Sequence, residues 1–104
     1  MAELFELSLC EARDAVRRGE TSAEELTAAC LKRINETEPR INALLARRDE
    51  EALEQARDMD RNRPADLSDK PLWGVPMTVK DAITLKGLPT TAASKILEGF
   101  LSPY

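Results

Sequence analysis

Apolar positions in the first sixty residues recur at helical intervals, in three runs separated by stop signals. Leu9, Ala12 and Val16 fall on one face, with Leu4 and Phe5 leading in. Arg17 and Arg18 suit a helix C-terminus and Gly19 the left-handed residue after it, so the first helix is predicted from about Ser8 to Arg18. Thr21-Ser22-Ala23-Glu24-Glu25 has the form of a capping box, Ser22 capping and Glu25 reaching back. Ala23, Leu26, Cys30 and Ile34 then share a face, and Pro39 predicts an end by about Thr37. A third helix is predicted from Asp49 as its cap, with Glu50, Glu51 and Glu54 early and Arg57, Arg61 and Arg63 late. Its apolar stripe is Ala52, Leu53, Ala56 and Met59.

The period then changes. Ile41 to Ala46 is an apolar run in which helix and strand spacing are indistinguishable; its shortness and its place between Pro39 and Asp49 favour a strand. Arg63 to Lys70 is polar, contains Pro64 and reads as a surface loop. Val75 to Lys80 reads as a second strand. Strand, helix and strand make a βαβ unit, so the expected fold class is α/β. About three helices would accompany an incomplete sheet, and residues 1–104 are expected as the N-terminal fragment of a single domain. Its first forty residues would be helical, and 41–104 would hold the βαβ unit with a lysine-bearing segment. Beyond it, Lys86-Gly87-Leu88-Pro89 marks a turn, Thr90 to Ser94 is small and polar, and Ser94 to Glu98 starts a helical turn.

Composition narrows the function. A net charge of −4 from 15 basic and 19 acidic residues provides no clustered cationic face of the kind nucleic acid needs. No apolar run approaches the roughly 20 residues of a membrane span, and the acidic opening lacks a signal-peptide layout, so a cytoplasmic protein without membrane contact is expected. The two cysteines, Cys10 and Cys30, have no metal-ligand spacing and are expected as buried free thiols, with no metal site. The chain has no histidine, which excludes a Ser-His-Asp or Cys-His centre made by these residues alone.

One stretch joins pattern to chemistry: Pro71-Leu72-Trp73-Gly74-Val75-Pro76-Met77-Thr78-Val79-Lys80-Asp81. Gly74 permits a sharp turn ahead of the strand. Alternation puts Val75, Met77 and Val79 on a face suited to packing and Pro76, Thr78 and Lys80 on the other. Lys80 then lies at the C-terminal strand end, where ligands commonly bind in α/β sheets. Lys80 and Asp81 could equally be a solvated pair ending a strand, the usual state of lysine. A lysine acting as a base must be neutral near pH 7, which for an amine of ordinary pKa about 10.4 requires roughly 4 kcal/mol against the charged form.

Gly74 to Asp81 resembles the G-x-P-x-x-x-K-D segment of the amidase signature family. Lys86-Gly87, Thr90-Thr91, Ala93-Ser94-Lys95-Ile96-Leu97 and Pro103-Tyr104 resemble, within that family, the A subunits of bacterial amidotransferases acting on Glu-tRNA(Gln) and Asp-tRNA(Asn). Leu31-Lys32-Arg33-Ile34 and the Ile41–Ala46 run extend the resemblance over essentially the whole chain. It implies a glutamine amidohydrolase with a Ser–cis-Ser–Lys triad, in which Lys80 matches the lysine. It further implies B and C subunits as partners. Glutamine would be the substrate, tRNA would be handled mainly by the B subunit, and ATP and magnesium would bind there rather than here.

The family's serine-rich segment has no counterpart in these residues. Ser8 and Ser22 belong to helix starts, Ser68 to a loop, and Ser94 and Ser102 lie outside any Gly-Ser-Ser-Gly context. Ser94 matches a family position with a structural role, and Thr90 and Thr91 are expected to satisfy backbone groups near the site. The chain alone is therefore expected to be inactive. Two other readings fit the residues: a piece of another amidase-signature amide hydrolase, and a non-catalytic module that binds a protein partner.

Overall fold

A computed structural model describes residues 3–104. They fold as two compact units, one of residues 3–43 with Arg47–Pro76 and the other of Leu44–Ala46 with Met77–Tyr104.

The first unit contains all three predicted helices: α1 (Leu9–Arg18), α2 (Ala23–Ile41) and α3 (Asp49–Arg61), preceded by a 3-10 turn at Leu4–Glu6. Ala12, Val16 and Leu26 form its core, with Leu4 and Leu7 packed against them. Ala56 of the α3 stripe is buried, whereas Leu9 at the start of α1 is exposed. Gly19 takes the left-handed conformation after α1, its N–H bonded to carbonyls of the last turn.

The reciprocal capping box is at α1 rather than α2. Ser8 N–H donates to the Glu11 carboxylate (2.9 Å) and Glu11 N–H to Ser8 Oγ (3.1 Å). At α2, Ser22 Oγ accepts from Glu25 N–H (3.0 Å), but Glu25 does not reach back. The neighbouring donors are taken from a distance: Ala23 N–H and Glu24 N–H both donate to the Asp60 carboxylate of α3, at 2.8 and 3.0 Å. An anion at a helix N-terminus also meets the positive end of the helix dipole. Arg57 of α3 pairs with Glu24 at 2.8 Å, and the Arg63 guanidinium donates to the Val16 and Arg17 carbonyls ending α1.

Three expectations need correction. Helix α2 runs through Pro39 to Ile41, because only a short stretch follows the proline and Asn42 closes the helix in left-handed conformation (φ 52°). Asp49 is the first residue of α3 rather than its cap; the cap position is Arg48, and the Asp49 carboxylate is held by Arg47. The expected βαβ unit is not formed, and no strand occurs among the described residues. Ile41 ends a helix, and Ala43 N–H, a donor that a strand would use, goes to the Glu38 carboxylate at 2.6 Å. Leu44–Ala46 and Met77–Lys80 do fall within one unit, yet no ladder joins them. Two strands without a third, or a helix to cover them, are marginal in water.

The second unit is held by turns and one isolated antiparallel bridge, between Pro89 and Leu101. Gly87 N–H donates to the Ser102 carbonyl, Ser102 N–H to Leu88 and Thr90 N–H to Phe100. The expected turn at 86–89 and helical turn after Ser94 are present, the latter as a 3-10 turn at Lys95–Leu97 with Ser94 Oγ accepting from Ile96 N–H. Cys10 and Cys30 are free thiols as expected but not the buried ones expected: Cys10 faces outward at the start of α1, and Cys30 is half-buried, which pushes its thiol pKa up.

Candidate functional site

The stretch singled out in the sequence divides between the units after Pro76. Its first part belongs to the helical unit and is anchored there by Gly74. Two successive turns form it, with Trp73 N–H on the Lys70 carbonyl and Val75 N–H on Leu72. Gly74 is buried at φ 79°, and a Cβ there would lie 3.1 Å from Ala23 Cβ and 3.2 Å from Val16 Cγ1. Glycine is therefore required twice, by backbone conformation and by closeness to α1 and α2. Val75 and Pro76 line a cleft with Leu4, Ala12, Leu26 and Cys30.

The second part lies in the other unit. Met77 and Val79, expected on a packed face, are exposed. Lys80 is exposed too, with its carbonyl accepting from Ile83 N–H at 2.9 Å, and among the described residues no ion pair involves it.

Asp81 faces a different task from Lys80. Its carboxylate accepts from the Thr91 hydroxyl, from Thr91 N–H at 2.9 Å and from Ala93 N–H at 3.4 Å. Its backbone carbonyl accepts from Ala92 N–H at 3.1 Å. These bonds, the Thr91 hydroxyl foremost and the Thr91 N–H next, hold the carboxyl below the usual aspartate range. They also meet a backbone need, since Ala92 (φ 48°) and Ala93 (φ 61°) are both left-handed without being glycine. Successive donors turned toward one point make an anion-binding nest, and here the anion is Asp81.

Thr91 thus does what the sequence suggests, its hydroxyl oxygen also accepting from Ala93 N–H at 3.3 Å. Thr90 does not: it is buried and its Oγ1 has no hydrogen-bond partner. Ser94 caps a turn and Ser102 is buried with its hydroxyl on the Tyr104 carbonyl, so each serine in this unit has a local structural bond. Sequence reasoning misses the Asp81–Thr91 bond. The only signal for it is Asp81 followed ten residues later by the second of two threonines.

The family model for Amidase matches residues 25–104. The chain belongs to the amidase family. It is 55% identical over 104 residues to the glutamyl-tRNA(Gln) amidotransferase A subunit of Nitratidesulfovibrio vulgaris (strain DP4), covering all of this chain and 21% of that one. The proteins of the same name from Thermobifida fusca (strain YX) and Chloroflexus aggregans (strain MD-66 / DSM 9485) are 52% and 48% identical over the same length, with the same coverage. This amidase chain thus spans about a fifth of the length of the curated relatives it matches. No solved structure matches it significantly. No helix among the described residues is long and apolar enough to cross a membrane.

Proposed function

We propose that this chain is the lysine-bearing, N-terminal part of the single amidase domain of a glutaminase subunit. That subunit would release ammonia from glutamine for transamidation of misacylated Glu-tRNA(Gln) or Asp-tRNA(Asn). The observation that carries the reading is Lys80, preceding Asp81 in the Gly74–Asp81 segment, inside a match that extends over most of the chain. The names of the relatives favour the amidotransferase over another amide hydrolase.

In this reading Lys80 is the terminal base of a proton relay. Its neutral amine takes a proton from a serine in a cis peptide, which takes one from the nucleophilic serine. The serine oxygen attacks the carboxamide carbon, the proton returns to the leaving nitrogen, and ammonia departs from a glutamyl ester. Water then attacks that ester, giving its proton to the relay, and glutamate leaves with the serine restored. Partner B and C subunits complete the assembly in the cytoplasm. Ammonia, ATP with magnesium, and tRNA meet at the B subunit.

The paired serines are not among these 104 residues, so the chain alone holds a base without a nucleophile. The test is ammonia release from glutamine by the purified chain. No turnover above the Lys80→Ala variant is expected; turnover that Lys80→Ala abolishes would overturn the inactivity.

A further inference from the structure

Lys80 and Asp81 are adjacent and oppositely charged, yet among the described residues neither enters an ion pair. Neighbours of this kind do pair elsewhere in the chain, Arg13 with Asp14 at 2.9 Å and Lys70 with Asp69 at 3.8 Å. What sets Asp81 apart is the loop at 91–93. The Thr91 hydroxyl, Thr91 N–H and Ala93 N–H all donate to its carboxylate, and Ala92 N–H donates to its carbonyl. The loop carries no charge. Its bonds, the hydroxyl's first, hold the carboxyl below the usual aspartate range against partial desolvation, with no charged neighbour among the causes. Maintaining them places both Ala92 and Ala93 in left-handed backbone, a conformation disfavoured for any residue with a Cβ. The chain thus accepts two unfavourable conformations in succession to occupy a carboxylate that water would otherwise solvate.

We infer that Asp81 and Thr91 are positioning residues for Lys80: the loop detains the neighbouring carboxylate and so leaves the lysine amine without a counter-ion beside it. The inference rests on the reading of Lys80 as a base and adds what keeps that base usable. A base has to shed its proton near neutral pH, and a carboxylate turned toward the amine favours the charged form. Asp81 is next to Lys80 in the chain, so it is kept from the amine by being engaged elsewhere and not by distance. The backbone around the lysine is fixed at the same time, since the Asp81 carbonyl is held by Ala92 N–H and the Lys80 carbonyl by Ile83 N–H. The Thr91 hydroxyl is the removable part of this restraint, because the N–H donors at 91 and 93 are present whatever side chains the loop carries.

The test is an NMR titration of the Lys80 side chain, through its isotope-labelled ε-carbon, in this chain and in variants of it. Thr91→Val deletes the hydroxyl donor and should raise the Lys80 pKa by about half a unit, as the freed carboxylate turns to the amine. Thr91→Ser keeps the hydroxyl and should titrate like the parent. Thr91→Val combined with Asp81→Asn removes the charge as well and should abolish the rise. No rise with Thr91→Val, or a rise that persists in the double variant, overturns the inference. Activity is read in the Nitratidesulfovibrio vulgaris relative with this chain in place of its matched stretch. There Thr91→Val should move the acid limb of kcat/KM for glutamine to higher pH by about one unit, an about tenfold loss below the limb, and Thr91→Ser should restore it. An unmoved limb also overturns the inference; if the chimera lacks turnover, the titration alone decides. A Lys80 titration that responds as expected, in a chimera whose glutaminase activity survives Lys80→Ala, would overturn the lysine's role as a base and leave the restraint on Asp81 standing.

Discussion

Asp81 and Thr91 are joined twice, by the threonine hydroxyl and by its backbone N–H. The residue after the candidate lysine is thereby tied to the loop ten positions on, and its charge is spent there rather than on Lys80. Because these bonds favour the carboxylate, the folded pKa lies below the unfolded one. The stabilisation is present above the ordinary aspartate value of about 3.9 and is lost as pH falls through the folded value. The protection factors of the Thr91 and Ala93 amides, taken against their intrinsic exchange rates at each pH, should fall on acidification below about pH 4. Asp81→Asn should show fast exchange at both amides already at pH 7. Equal protection in the variant would remove the carboxylate from this role.

Gly74 and Gly19 make a matched pair of tests. Both have positive φ, 79° and 75°, but a Cβ at Gly74 meets Ala23 and Val16 while one at Gly19 meets nothing within 4 Å. Gly19→Ala should cost about 1 kcal/mol from backbone conformation alone. Gly74→Ala adds overpacking and should cost about 2–4 kcal/mol in all. Urea denaturation of the helical unit followed by circular dichroism would measure the difference. Equal losses would show that the close approach is relieved without penalty.

Removing the Asp60 carboxylate leaves the Ala23 and Glu24 donors without their partner. Asp60→Ala should destabilise the unit by about 1 kcal/mol, in the range of a lost helix cap. Asp60→Asn, retaining one acceptor, should lose less. The urea midpoints of the two variants, compared with the parent chain, decide it.

Lys80→Ala should leave the unfolding free energy within about 0.5 kcal/mol of the parent, as substitutions of exposed residues usually do. Lys80 is exposed and has no ion pair among the described residues. A large loss of stability would mean that the lysine is structural, and would undercut its use as a clean probe of chemistry.

The helices are legible because their signals are local. Stripes such as Ala12–Val16 and Ala52–Ala56, the glycine after Arg18 and serines at helix starts all act within a turn or two of themselves. What the pattern misplaces has longer reach. Asp60 caps a helix from 36 positions away, so a capping box at Ser22 looks complete without it. Pro39 reads as a stop when taken alone, but its cost falls where α2 is already ending at Asn42. The strands fail for a related reason: alternation shows that Val75–Lys80 could line a sheet, whereas a ladder needs partners that no spacing supplies. The lysine segment stands out because Gly74, Lys80 and Asp81 are close in sequence. The bond from Asp81 to Thr91 stays hidden because that loop's left-handed alanines give no glycine signal.

The composition of the second unit sets an order of events in time. Leu44–Ala46 is made about thirty residues before Met77, the first of the residues it joins. At a synthesis rate of about 5–20 residues per second, that short apolar segment waits roughly 2 to 6 s for its companions. Helix α3 is completed during that interval. The helical unit can therefore begin to close on its own contacts while the rest of the second unit has yet to be synthesised.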